Sequence, residues 1–299
     1  MIADLVTPAP RPLTPEDIAR EVKNLPSAPR VLPKLKQLLC DGNSAMHDIV
    51  SLVRIDPGIA ARVLQVANSA YFSKGMRCLT VSEAVNRVGY DQIYELVAYA
   101  VASQVLARPL EVYRLESDLL WKMSVAGALA AEGIADRTGQ DRSVAYTIGL
   151  LHCVGMVAID EWALRNRRGL VLTIESFPRE ATESERAELG FTQAEAGGAL
   201  LGDWGFPESI IEPVRWQYAP SGAGGQLRMT ALLAAAKWVR NAACGQVPTL
   251  PTLAQLHPLG LTPAALKALA GEVAGRLAEV NLLLEDDTRR VPERPRFPR

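Results

Sequence analysis

The sequence predicts an all-α protein, and three observations carry that prediction. Apolar residues recur at three- and four-residue spacing in segment after segment, as in Ile59, Val63, Leu64 and Val66. No useful run of strict apolar–polar alternation appears, so little or no sheet is expected. The composition is 48% hydrophobic but only 6% aromatic. The core is therefore built from Leu, Val, Ile and Ala, a mixture that favours helix over sheet.

The elements follow from their start and stop signals. Residues 1–13 are Pro-rich and are expected to form a flexible tail. Thr14-Pro15-Glu16-Asp17 combines a hydroxyl cap, proline at the first helical position and acids in the first turn. Pro26, Pro29 and Pro33 interrupt the chain before a helix with Leu35, Leu38 and Leu39 on its apolar face. Ser44 is read as the cap of the next helix. Asp56-Pro57 ends that helix and starts another, with Asp56 as cap. Ser82 is read as the cap of SEAVNRV, which Gly89 ends, and Asp91 as the cap of a longer helix reaching toward Pro109.

The second half opens near Glu111. Leu119 to Ile134 mark a long helix that stops at Thr138-Gly139, and Asp141 caps the helix that carries His152. That helix is expected to run through His152 and turn at Gly155. The charged stretch from Phe177-Pro178 to Leu189 is expected to be an exposed helix or lid. Thr192 caps QAEAGGALLGDWG, and Pro207-Glu208-Ser209 starts a further helix. A C-terminal pair is expected over Leu227 to Ala243 and Pro263 to Leu284, followed by a disordered Arg- and Pro-rich tail from 287.

Composition also excludes function classes. A formal net charge of −1 argues against a general binder of nucleic acid or of anionic membranes. Cys40, Cys78, Cys153 and Cys244 are far apart and form no CxxC pair, so reduced thiols in a cytoplasmic protein are expected. No apolar run approaches the roughly 18 residues of a span, and no leader is legible at the start. GxSxG, GxxxxGK[ST] and HExxH are all missing.

Several motifs in one order carry a resemblance. LPSAPRVLPKLKQLL, then DPGIAARVLQVANSAYF (Asp56 to Phe72), then VSEAVNRVGYDQIYELVAYAVA make up a first part. Leu120-Trp121, LLHCVG (Leu150 to Gly155) and GALLGDWGFPESIIEPVRWQYAP make up a second. Together, over about residues 15–220, they resemble the HDOD domain, an output domain of bacterial signalling proteins related to HD phosphohydrolases. The resemblance implies a multi-helix HD-like bundle. On this reading residues 14–110 and 111–225 are its two helical subdomains, and 226–286 are extra C-terminal helices.

The same resemblance implies where metal ligands would stand in a catalytic relative. Those positions fall at Met123, at the doublet His152-Cys153, near Gln193 and at Gln217-Tyr218. Only His152 keeps a ligand type, and the chain has three histidines in all. No catalytic residue, metal or cofactor is therefore expected, since a water-activating centre needs several His and Asp ligands. Buried alone, His152 is expected to be a hydrogen-bonded core histidine and Cys153 a small hydrophobe. Asn68 and Ser69, at a helix C-terminus, and Trp216 are candidates for contacts between the halves or for lining a groove.

The function expected is a non-enzymatic regulatory module that binds a protein partner, with a second copy of the chain as one candidate. The alternatives are an atypical HD hydrolase acting on a nucleotide or phosphoester, or a small-molecule sensor in the vacated pocket.

Overall fold

Several helix starts in this chain are set by side chains that accept amide hydrogens left free in the first turn. The computed structural model describes residues 12–22, 38, 46–73, 75–89, 93, 109–172 and 179–285. Its first helices are α1 (Pro15–Glu21), α2 (Met46–Arg54), α3 (Pro57–Ala67), α4 (Ala70–Ser73) and α5 (Val81–Val88). After them come α6 (Ser117–Thr138), α7 (Arg142–Leu151), α8 (Val154–Asn166), α9 (Arg179–Leu189), α10 (Gln193–Asp203) and α11 (Glu208–Arg215). The chain continues with α12 (Leu227–Ala243), α13 (Leu253–Leu256) and α14 (Pro263–Glu285).

Thr14 and Asp17 form a reciprocal capping box at α1, and Thr192 and Glu195 form another at α10. Asp56 accepts from the Ile59 amide at 2.8 Å, and Asp141 accepts from the Val144 amide at 2.9 Å. One cap differs from the expectation. Thr80, not Ser82, accepts from the Glu83 amide at 3.1 Å, so the cap of α5 lies two residues earlier. The Glu83 carboxylate then reaches back to the Leu79 amide. That reciprocal pairing satisfies two free donors, which a cap at Ser82 would leave open. The caps read at Ser44 and Asp91, the long helix after Asp91, nearly all of the Pro-rich start and the tail from 287 lie outside the described residues.

The protein is all-α. Among the described residues the extended pairing is a single bridge between Leu110 and Leu115. The buried centre lies where α6 crosses α7, with α12 and α14 against α6, and α10 against α8 and α11. Sequence order grouped residues 14–110, but α1 packs on α8 and α10. By length and composition alone Val144–Asn166 could cross a membrane, but 94% of its most apolar window is buried inside this bundle. Its apolar surface is covered by neighbouring helices, as a core element requires.

The turn between α2 and α3 is held from the second half. Trp121 on α6 donates its indole N–H to the Ile55 carbonyl at 2.9 Å, and the Tyr146 hydroxyl on α7 donates to the Arg54 carbonyl at 3.0 Å. The Arg54 guanidinium lies over the Tyr146 ring at 4.5 Å. Glu132, almost fully buried on α6, pairs with Arg276 of α14 at 2.7 Å and with Arg54 at 3.5 Å. Between these polar ties, α3 buries Ile59, Val63 and Leu64. Leu64 has no exposed surface. Leu64→Ala should therefore lower stability by about 2–5 kcal/mol in denaturant titration. A loss under about 0.5 kcal/mol is the size of a surface change and would contradict this packing.

Candidate functional site

The sequence reading carried one helix through His152 to a turn at Gly155. The structure breaks the chain earlier. The first helix, α7, ends at Leu151, His152 and Cys153 form a two-residue turn, and Gly155 sits in the first turn of α8. Gly155 serves close approach rather than chain reversal. A Cβ there would lie 1.8 Å from the Gln193 carbonyl oxygen and 2.7 Å from the Gly197 amide nitrogen. The absence of a side chain lets α8 press directly on the start of α10, which brings Gln193 beside the turn. Gly127 on α6 plays the same part on the other side, where a Cβ would stand 2.6 Å from Cε1 of His152.

His152 is fully buried. Its Nδ1 lies 2.5 Å from the Gly149 carbonyl oxygen. A carbonyl only accepts, so Nδ1 carries the proton and Nε2 presents its lone pair. That lone pair meets Nη1 of Arg240 from α12, and Cys153 Sγ lies 3.1 Å from Nε2. Burial, then the Arg240 charge, holds the imidazole well below its ordinary pKa, so it stays neutral. Burial pushes the Cys153 thiol up to about 11, so it is neutral as well. Arg240 is also completely buried, and its Nε donates to Asn241 Oδ1 at 2.9 Å.

A second basic side chain stands one turn before Arg240. Lys237 is buried, donates from Nζ to the Gln217 carbonyl at 2.9 Å and sits over the Tyr218 ring at 3.6 Å. Burial, then Arg240, holds its pKa well below the ordinary lysine value. Two amides complete the surroundings. Gln217 donates Nε2 to the carbonyls of His152 and Val214, both at 2.9 Å, and Gln193 donates Nε2 to the Tyr218 hydroxyl at 2.9 Å. Behind them Glu185 of α9 accepts from the Tyr113 hydroxyl and from the Gln193 amide, each at 2.8 Å. Burial pushes its carboxyl up to about 7.

The turn thus gathers His152, Cys153, Gln193, Gln217 and Tyr218. Met123 is buried on α6, one turn before Gly127. Asn68 pairs both side-chain atoms with the Cys78 backbone. It reaches the second half through Arg77, which donates to the carbonyls of Asn68 and Gly205. Ser69 is exposed, and Trp216 is half-buried against Gly222, within the second half.

Sequence reasoning missed Lys237, Arg240 and Glu185. The first two did leave a signal, two basic residues one turn apart inside the otherwise apolar AAAKWVR. Glu185 left none, because in REATESERAEL it looks like its exposed neighbours; the helix is there, but this carboxylate is buried rather than part of an exposed face.

The residues present do not fit the metal that the HD relationship implies. The one imidazole lone pair is directed at a guanidinium, the thiol is neutral, and the other groups are amides and a phenol. The buried Arg240 guanidinium repels a metal cation. Among the described residues no three His, Cys, Asp or Glu side chains gather as a ligand set. The cluster as described is a neutral imidazole and a neutral thiol, with two amides and a phenol, around a buried guanidinium.

Comparison with known proteins gives a consistent picture. The family model of the HDOD domain matches residues 25–220. An uncharacterized protein of Treponema pallidum (strain Nichols) is 28% identical over 207 residues. That match takes in 67% of this chain and 39% of the other, so the chain spans well under half the length of this relative. The crystal structure of the MmoQ response regulator from Methylococcus capsulatus str. Bath superposes with a TM-score of 0.62 at 23% identity, covering 83% of this chain and 98% of that one. A virulence factor from Campylobacter jejuni subsp. jejuni superposes with a TM-score of 0.66 at 18% identity, covering 88% and 96%. At these identities the two structures establish the shared fold.

Gly155→Ala should fail to fold or lose at least about 3 kcal/mol, because its methyl group meets backbone rather than a yielding side chain. A melting curve like that of the wild type would refute the α8–α10 contact.

Glu185 gives a pH signature. Its folded pKa is raised, so its contribution is full below the unfolded value near 4.5 and is lost as pH climbs through about 7. His152 acts in the opposite direction, because its lowered folded pKa costs stability as pH falls below 6.5. The difference between wild type and Glu185→Gln isolates the carboxyl. Relative to the variant, wild type should lose stability from pH 4.5 to 7, by at most about 1.4 kcal/mol per unit. Parallel profiles would mean that Glu185 is not buried as described.

Proposed function

The chain belongs to the HDOD family, and on that premise we propose that it is a non-enzymatic regulatory module of signal transduction that acts in the cytoplasm by binding another protein. One observation carries the reading. The position at which a catalytic relative would coordinate metal is filled from within, by Arg240 on the His152 lone pair and Lys237 over Tyr218.

A hydrolase needs ligands that gather a metal and a path for water to a phosphoester. Here the ligand types at Met123, Cys153, Gln193, Gln217 and Tyr218 are replaced, while caps and apolar faces around them are intact. A kept scaffold with a sealed centre suits a protein that presents a surface. The balanced net charge of −1 also disfavours nucleic acid as the partner. The sensor reading is weaker because the same two side chains occupy the space a small ligand would use.

The test pairs two measurements on the full chain. Cyclic and linear nucleotides and generic phosphodiesters, with Mg²⁺ or Mn²⁺, should show no turnover above blank. Affinity capture from the native cytoplasm should yield a saturable protein partner whose binding is unchanged by Cys153→Ala. Turnover that disappears in His152→Ala would replace this reading with that of a hydrolase.

A further inference from the structure

The segment that joins α12 to α13 reads Val247-Pro248-Thr249-Leu250-Pro251-Thr252-Leu253, an apolar–Pro–Thr triplet repeated and closed by a third apolar residue. It lies beyond the family match at 25–220. Its three large apolar side chains, Val247, Leu250 and Leu253, are 100%, 36% and 70% exposed. Large apolar groups held in water at one place mark a contact surface rather than a core.

The spacing says what kind of contact. A polyproline II chain has three residues per turn, so positions three apart fall on one face, about 9 Å from each other. Pro248 and Pro251 fix their own φ at the value of that conformation and disfavour helix at Val247 and Leu250. Thr252, at φ −68° and ψ 157°, is in it. The exposed triplet is thus an apolar stripe along an extended segment that ends at Leu253, the first residue of α13.

Both ends of the stripe are fixed. At its root α12 closes with Gly245 at φ +83°, whose amide donates to the Ala242 carbonyl, while the Gln246 amide donates to that of Asn241. These two bonds make a Schellman ending. Trp238 of α12 donates its indole N–H to the Pro248 carbonyl at 3.2 Å. At the far end Thr252 and Gln255 form a capping box at α13. From Gly245 to Leu256 no residue is charged, so recognition of this stripe is apolar and not electrostatic.

We infer that Val247–Leu253 is a docking ridge that inserts as a polyproline II strand into an aromatic-lined groove of a separate protein. Flat aromatic side chains are the surfaces that take proline rings and the apolar residues between them from such a chain. The inference rests on the reading of this chain as a protein-binding module, and names the surface and the partner's chemistry. Because the two prolines already restrict the segment, less ordering entropy opposes its binding.

The experiment uses the full chain with a photoreactive benzoyl-phenylalanine at position 247, activated in the native cytoplasm. The expected adduct joins this position to a second protein at a peptide rich in Trp, Tyr or Phe, and that protein binds the purified wild-type chain saturably. Val247→Ser/Leu250→Ser/Leu253→Ser should weaken this binding at least about tenfold, and Val247→Ser/Leu253→Ser, at the two largely exposed positions, should weaken it with an unchanged melting curve. Pro248→Ala/Pro251→Ala should weaken it several-fold with the apolar stripe kept, and added salt should leave it unchanged. Adducts confined to a second copy of the chain, or formed equally from a label at exposed Lys267, overturn the inference. If a captured partner binds the triple-serine variant as tightly as wild type, the ridge is wrong and the module reading stands. If the wild-type chain binds no protein, both fall.

Discussion

The centre of the second half depends on one contact, the Arg240 guanidinium against Nε2 of His152. A buried guanidinium is costly unless acceptors surround it. The Gly149 carbonyl holds the proton on Nδ1 and so turns the imidazole into such an acceptor. The backbone supports this arrangement at each step: Gly127 makes room for the ring, Gly155 brings in α10, and Gln217 ties α11 to the His152 carbonyl. With Lys237 one turn away, α12 supplies the charge and the fold supplies its surroundings.

That arrangement gives a buried histidine a structural partner. With its proton held on Nδ1 by the Gly149 carbonyl, the ring presents Nε2 as an acceptor to Arg240. Cys153 fits the same account, since a neutral thiol beside the ring needs little solvation and tolerates the neighbouring cation. Helices α12 and α14 are consequently part of the core. They press on α6, which also receives the first half through Trp121 and Glu132.

Much of the helical framework was legible because its signals are local. Thr14, Asp56, Asp141 and Thr192 cap helices by reaching three residues along the chain, and Gly139 ends α6 at φ 66°. The misplaced cap at Ser82 shows the limit of such signals. Two hydroxyls stood two residues apart, and the choice fell to Thr80 because Glu83 can return a bond to the Leu79 amide. The family likeness was legible too, since its motifs are contiguous.

The sequence by itself determined the all-α class, most helix starts and the family likeness, because capping, periodicity and residue type act within a few positions of the chain. Tertiary structure alone decided that Arg240 would meet a ring 88 residues away, that Glu185 and not Glu183 or Glu188 would be buried, and that α1 would cross to the second half. Those outcomes depend on the angles at which helices cross and on how closely glycines let them approach. Basic residues one turn apart on an apolar face show that something must receive them. Only the packed fold shows what does.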